Sequence, residues 1–300
     1  MNSSPNKNLF IGFAFAIITI IIWSGNYVVA RGIAQQIPPI SIAFFRWGTA
    51  SIFIILIGWK KFIAQKNILL QHKRYLFFTA ITGVTLFNTF IYVAGHFTEA
   101  INLVLIATTA APIFITAFSR IFFKEKINNF RLVGMLLCFA GVLILLSHGS
   151  WQKLRQLHFG TGDLWILASA FVFSIYSILV KKRPAEISPM SFLVTIFITG
   201  TVCLLPFYSI EAYFTGPLHW TNGMIITILY LGIGNSVIGF LCWNASIARI
   251  GPARTSLFSN LMPVFSTIEA VLILGEQFTS VHLISGIVVI CGLIIANLKH

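Results

Sequence analysis

Residues 107–145 read ATTAAPIFITAFSRIFFKEKINNFRLVGMLLCFAGVLIL, and residues 258–296 read FSNLMPVFSTIEAVLILGEQFTSVHLISGIVVICGLIIA. At an offset of 151, with no gap, Pro112, Glu125 and Gly141 fall on Pro263, Glu276 and Gly292, and Phe114 and Thr116 fall on Phe265 and Thr267. Each copy reads as an apolar helix with an internal proline, a carboxylate, then a second apolar helix carrying a glycine. Identity between the copies is low, so the echo lies in residue kind. It extends outwards to Gly12 with Gly162, at an offset of 150, and to Pro38 with Pro189, each expected to open the second helix of its half. Residues 1–150 and 151–300 are therefore expected to be two copies of one five-helix module. In a membrane chain such repeats build a site at their shared interface.

The composition places the chain in a membrane. Of 300 residues, 57% are hydrophobic and 9% charged, with a mean hydropathy of +0.91. A soluble domain carries roughly 25% charged residues. One soluble core cannot hide this much apolar surface, so the exterior itself must be apolar. Backbone groups in hydrocarbon need internal partners, which leaves helices or closed barrels. Apolar runs of about 18–23 residues suit helices that cross roughly 30 Å of hydrocarbon. The first run, Leu9 to Ala30, exceeds a signal peptide's apolar region of about 7–15 residues and is read as a retained helix. Cys138, Cys203, Cys242 and Cys291 sit inside apolar runs with no metal spacing, as small packing residues.

Ten spans follow, at about 9–30, 38–59, 75–95, 99–119, 130–147, 162–180, 189–209, 223–246, 252–274 and 282–298. With the N-terminus placed in the cytoplasm, 16 Lys and Arg fall in inside segments and three (Arg31, Lys153, Arg155) in outside ones, with Arg46 inside a span. That split sets both termini inside, and it explains the net charge of +13 through topology rather than nucleic-acid binding. An odd number of helices per copy sends the second copy in from the opposite face. The expected fold is thus an all-α integral membrane protein of ten transmembrane helices in two inverted five-helix repeats, the arrangement that permits alternating access.

Ionisable residues inside the membrane cost several kcal/mol and are functional suspects. Two stand out, Arg46 in the second span and Glu269 in the ninth. Glu269 lies seven residues before Glu276, on the same face and about 10 Å deeper. In the repeat frame it corresponds to Phe118, so it breaks the internal symmetry, and an asymmetric polar position points to a substrate. The plainer reading is that both satisfy buried polar groups or snorkel to an interface. A carboxylate at that depth could also take up and release a proton. The uncharged candidates for the substrate path are Asn26, Tyr27, Asn88, Tyr92, Tyr176, Asn235, Trp243, Asn244 and Asn260. Singly, each suits interhelical hydrogen bonding; as a set they suit a small amphipathic ligand. Pro112 and Pro263 are scaffold or hinge residues, each freeing a carbonyl. Glu125 and Glu276 are repeat-related structural residues, capping or pairing at a helix end. Gly134 and Gly141, like Ser285 and Gly292, put small residues on one helix face for close packing or a dimer contact.

No nucleotide-binding loop, HExxH or GxSxG pattern occurs, and no catalytic residue, metal or cofactor is expected. The chain resembles EamA-type members of the drug/metabolite transporter superfamily. The resemblance rests on Trp23-Ser24-Gly25-Asn26-Tyr27, Phe44-Phe45-Arg46, Ala111-Pro112 with Glu125, Gly162-Asp163-Leu164, and Pro263 with Gly275-Glu276. It departs from the family's usual Gly-Glu at Lys124-Glu125. The resemblance implies a basket of ten helices around a central cavity, and relatives that export amino acids, aromatic compounds, purine-related metabolites or drugs, or in some cases import. It also implies structural importance for Arg46, which matches an arginine common in the family.

The leading expectation is a secondary transporter, exporter or permease, moving a small organic metabolite, an amino acid or related compound, across a bacterial inner membrane. Its partners would be that metabolite, membrane lipid and, through Glu269, protons. Uncoupled facilitated diffusion fits the scarcity of buried carboxylates equally, and both monomer and homodimer stay open. An integral-membrane enzyme acting on a lipid-linked substrate would need acidic or His clusters at one interface. A non-transporting assembly subunit would have a polar-poor interior.

Overall fold

The computed structural model describes residues 5–33, 37–97, 100–147, 149–155, 160–274 and 279–298, with residues 5–6, 26–33, 100–105, 146, 153–154, 267, 270–271 and 273–274 described in backbone only. Among these, helices are the sole regular structure. In chain order they are α1 (Pro5–Ile33), α2 (Pro39–Ala64), α3 (Lys73–Ala94), α4 (Ala100–Phe123) and α5 (Asn129–Leu146), followed by α6 (Thr161–Lys181), α7 (Pro189–Thr215), α8 (Asn222–Ile250), α9 (Pro252–Leu257, Phe258–Leu261 and Met262–Leu274 in succession) and α10 (Ser280–Asn297). Eight helical stretches are long and apolar enough to cross a membrane, and Asn129–Leu145 is a shorter apolar helix. The protein is an all-α membrane protein.

The helix ends follow local chemistry, with one correction to the sequence reading. Pro39, rather than Pro38, begins α2, and Pro38 is its N-cap at φ −58° and ψ 149°. A residue before proline is pushed out of the helical region, so Pro38 cannot itself be helical. Pro38 also lacks a side-chain acceptor to cap the helix. Glu211, from the far end of α7, does so instead: its carboxylate accepts from Ile40 N at 3.0 Å and from Ser41 N at 2.6 Å. In the other half Ser188 caps α7 through its own side chain, and Gly160 N donates to Asp163 at the start of α6 at 2.6 Å.

Residues of the two halves meet their own counterparts. Trp23 and Phe173 pack edge to face with ring centroids 5.9 Å apart. Ser51 and Thr201 share a hydrogen bond of 3.0 Å. Ser259 donates to the Thr108 carbonyl at 3.3 Å, and the Cys138 thiol to the Val289 carbonyl at 3.5 Å. These pairs are separated by 150 or 151 positions, the offsets of the sequence echo. A residue touches its own symmetry mate only beside a two-fold axis. The contacts elsewhere are reciprocal, as in a self-complementary interface: Gly134 lies against Gly292, and Gly141 against Ser285, each the counterpart of the other's partner. Glu211 meets Ser41 at one end of α2, while Ser188 meets Gln65 at the other, so α2 and α7 run antiparallel. The axis therefore crosses the helices at a right angle and lies in the membrane plane. The repeats are inverted.

The interior is aromatic, with Trp47, Tyr176, Phe192, Phe197, Phe240 and Trp243 among its fully buried side chains. The exterior is apolar too: Leu56, Phe78, Phe207, Ile226 and Leu272 are exposed, as lipid contact requires. A groove of about 760 Å³ between α2, α3 and α7, walled by Leu69, Leu70 and Phe77 with Lys66, Lys73 and Arg74 at its edge, belongs to this outer surface. The small residues of α5 and α10 pack these two helices on each other within one chain.

Candidate functional site

The two intramembrane charges reach the interior by different routes. Arg46 lies seven residues into α2, about 10 Å from its start, and is 3% exposed. Its Nε donates to the Ser236 hydroxyl at 2.7 Å, and its Nη1 to Asn88 Oδ1 at 3.0 Å and to the Tyr92 hydroxyl at 2.9 Å. All three acceptors are neutral. The guanidinium is thus solvated by α3 and α8 with no carboxylate among the described residues to cancel its charge.

The two helices that supply these acceptors share a backbone irregularity. α3 widens to i→i+5 hydrogen bonding over Ile81–Leu86, and α8 does so over Tyr230–Ile238. Such widened turns gather at functional sites. In α8 the widening turns Ser236 so that it donates to the Leu231 carbonyl five residues back at 2.9 Å, leaving its oxygen lone pairs to Arg46. Asn235, beside it, accepts from Trp23 Nε1 through its carbonyl at 3.0 Å.

Glu269, on α9, accepts a hydrogen bond of 2.8 Å from the Ser24 hydroxyl on α1. Its second oxygen is buried and has no hydrogen-bond partner among the described residues. The other described carboxylates have evident structural partners: Glu125 with Arg131 at 3.4 Å, Glu186 with His72 at 2.9 Å, Glu211 at the start of α2, and Asp163 at that of α6. Gly25 follows Ser24, and a Cβ there would stand 3.5 Å from Glu269 Oε2 and against the Tyr230 hydroxyl. Gly25 thus lets the Tyr230 hydroxyl pack against α1 close to Glu269. The Tyr230 hydroxyl donates to the Ile22 carbonyl at 2.7 Å.

The remaining candidates divide between a second cluster and purely structural places. Trp23, Phe173, Phe240 and Trp243 form a continuous aromatic block, with Trp23 and Trp243 5.1 Å apart and Phe173 and Trp243 5.4 Å apart. Trp23, Phe173 and Trp243 line an interior cavity of about 60 Å³ with Thr108, Ser169 and Ser256, room for a few waters. Tyr176 donates to Asn244 Oδ1 at 2.8 Å, while Asn244 Nδ2 and Trp243 Nε1 are buried without a partner among the described residues. Asn260 turns back to the Leu257 carbonyl at 2.9 Å and helps shape the tighter turn at Phe258–Leu261. Pro112 sits inside the continuous α4, whereas Pro263 follows that tight turn at the start of the last α9 segment. The two prolines are thus equivalent in sequence but not in local structure. Asn26 and Tyr27 have side chains outside the described set, and Glu276 lies outside the described residues. Sequence reading missed Ser24, Tyr230, Ser236 and Glu211. Ser24 was within reach of the same logic, since it lies inside the Trp-Ser-Gly-Asn-Tyr stretch; the others needed the tertiary contacts.

The Lys124 departure has a geometric explanation. Lys124 is at φ 55°, the one described non-glycine residue with positive φ, where glycine is the usual solution. The loop it turns brings Glu125 against Gly251, where a Cβ would stand 3.5 Å from Glu125 Oε1, at the start of α9.

A helical membrane bundle of two inverted repeats, with Arg46 buried and Glu269 half-buried where they meet, is the architecture in which membrane transporters build a site. The model of the EamA-like transporter family matches residues 10–147 and 160–298, one match in each half. The chain belongs to the EamA-like transporter family. It is 25% identical to an uncharacterized transporter of Archaeoglobus fulgidus, over 94% of this chain and 96% of the relative. It is also 25% identical to a probable amino-acid metabolite efflux pump of Salmonella typhimurium, over 93% and 92%, and 22% identical to one of Escherichia coli, over the same shares. A solved crystal structure superposes with a TM-score of 0.79 at 19% identity, covering 98% of this chain and 97% of the other, which shows a shared fold. Family membership makes the chain a transporter and not an enzyme.

Proposed function

We propose that this transporter exports a small organic metabolite, an amino acid or a close relative of one, by alternating access of its two repeats, residues 1–150 and 151–300. The observation that carries this reading is the pair of charges inside the bundle, Arg46 buried and Glu269 half-buried, with no opposite charge paired to either among the described residues. In the repeat frame Arg46 falls on Ile196 and Glu269 on Phe118, so both charges sit where the inverted symmetry breaks. A symmetric scaffold needs neither; a polar ligand does. The relatives described as amino-acid metabolite efflux pumps support the substrate class and the direction.

In this reading the ten helices place both termini in the cytoplasm of a bacterial cell, by the distribution of Lys and Arg. Pro112 and Pro263 are the bending points, and Glu269 is the group through which protons are coupled to transport. The test is flux of labelled amino acids from purified protein in proteoliposomes, driven by a substrate gradient and then by a pH gradient. Flux that saturates and that an imposed pH gradient accelerates is the expected result. Absence of flux for all twenty amino acids would overturn the substrate class. Glu269→Gln retaining full pH-driven flux would overturn the coupling role.

A further inference from the structure

Resting on that reading, we infer that Arg46 and Glu269 are the two poles of a site for the backbone of a free α-amino acid, the carboxylate lying towards Arg46 and the ammonium towards Glu269. Three observations carry the assignment. Arg46 has an idle donor beside it: Nδ2 of Asn88, whose oxygen it binds, is buried without a hydrogen-bond partner among the described residues, and so is Nδ2 of Asn235, the residue before Ser236 in α8, on side chains 3% and 2% exposed. Asn88 spends its oxygen on Arg46, so only its N–H groups are left to offer. A cation with an idle donor beside it is complementary to an anion.

At the other pole the idle group is an acceptor. Glu269 has one oxygen held by Ser24 and the other buried without a described partner. A buried acceptor of this kind is complementary to a cation that carries protons. The two poles also belong to one locale without neutralising each other. They form no ion pair, yet one widened segment of α8 serves both: Tyr230, whose hydroxyl packs against Gly25 beside Glu269 Oε2, begins it, and Ser236, which accepts from Arg46, lies within it. Gly25, lacking a Cβ, lets the Tyr230 hydroxyl sit against α1 beside Glu269 Oε2. Opposite charges set along one segment of α8 and held apart by their own helices suit a ligand carrying both charges. The aromatic block beginning at Trp23, the residue before Ser24, offers apolar surface next to these poles.

The experiment uses the purified full-length protein and thermal-shift and equilibrium binding with the twenty proteinogenic L-amino acids. The tightest binder is then compared with two analogues, the amine that lacks its carboxylate and the acid that lacks its ammonium. Glu269→Gln should weaken the amino acid and the amine by roughly 10–150-fold, the range of a lost charged hydrogen bond, and leave the acid unchanged. Arg46→Gln should weaken the amino acid and the acid to a similar extent and leave the amine unchanged. Arg46→Lys, made alongside because the guanidinium also ties α2 to α3 and α8, should give the same selectivity with a smaller loss. Gly25→Ala should weaken the amino acid and the amine. An amino acid that binds without this crossed pattern overturns the two-pole assignment and leaves the substrate class standing. Failure of all twenty to bind overturns both.

Discussion

Substituting Gly292 by alanine tests the seam on which the two repeats close. A Cβ at Gly292 would stand 2.7 Å from Cys138 N, 2.8 Å from the Gly134 carbonyl oxygen and 2.9 Å from the Cys138 sulfur. Two of those atoms are backbone, so relief comes only from moving α5 and α10 apart, by roughly half an ångström or more to reach ordinary contact. Overpacking of this kind costs about 1–3 kcal/mol, and a rigid backbone neighbour puts the site at the upper end. Alanine returns about 1 kcal/mol of helix propensity, leaving a net loss of roughly 2 kcal/mol. For a chain of this size that is a fall in melting temperature of about 4–8 °C, measurable by tryptophan fluorescence of the detergent-purified protein. Gly48→Ala is the internal control: nothing lies within 4 Å of its Cβ position, so stability should hold or rise.

The reciprocal contact sharpens the test. A Cβ on Gly134 collides with the Gly292 carbonyl and the Ala296 backbone nitrogen. The separation that accommodates one alanine thus accommodates much of the other. Gly134→Ala with Gly292→Ala should therefore cost less than the sum of the single changes, with a coupling of at least about 0.5 kcal/mol. Additive losses, or a Gly292→Ala protein as stable as Gly48→Ala, would refute the close-packed seam.

Three further outcomes are expected. Lys124→Gly should raise stability by roughly 0.5 kcal/mol, because the left-handed strain of about 1–2 kcal/mol is relieved while the unfolded chain gains about 0.5–1 kcal/mol of freedom; a fall in melting temperature would contradict it. Glu211→Gln should cost about 1–2 kcal/mol through the start of α2, since it weakens two charge-assisted bonds to backbone N–H groups, and increased hydrogen exchange at Ile40 and Ser41 would report it. In a background with the four native cysteines replaced, a cysteine at Gly160 should react with a membrane-impermeant thiol reagent from outside intact cells, and one at Ser188 only after permeabilisation. The opposite pattern would reverse the topology.

Much of this protein was decided along the chain. Long apolar runs with few charges forced a membrane bundle, because a water-soluble exterior cannot be built from them. The echo of Pro112 and Glu125 in Pro263 and Glu276, with the odd number of five spans expected per copy, pointed to inverted repeats. The α5–α10 seam was legible in the spacing of Gly134, Gly141, Ser285 and Gly292, because close helix approach needs small residues on one face. Arg46 and Glu269 stood out for the same kind of reason: a charge inside an apolar run is costly wherever the helix packs.

What the chain could not decide was which groups meet. Ser236 reaches Arg46 because α8 widens locally, a backbone change with no sequence signature of its own. Glu211 caps a helix 170 residues away because α2 and α7 run antiparallel through the two-fold axis. Asn260 carried the same amide as Asn88 and was an equal candidate, yet it bonds to its own helix while Asn88 helps hold the guanidinium. Hydrogen-bond partners are fixed by packing in three dimensions, and the polarity of a residue says only what kind of partner it can take.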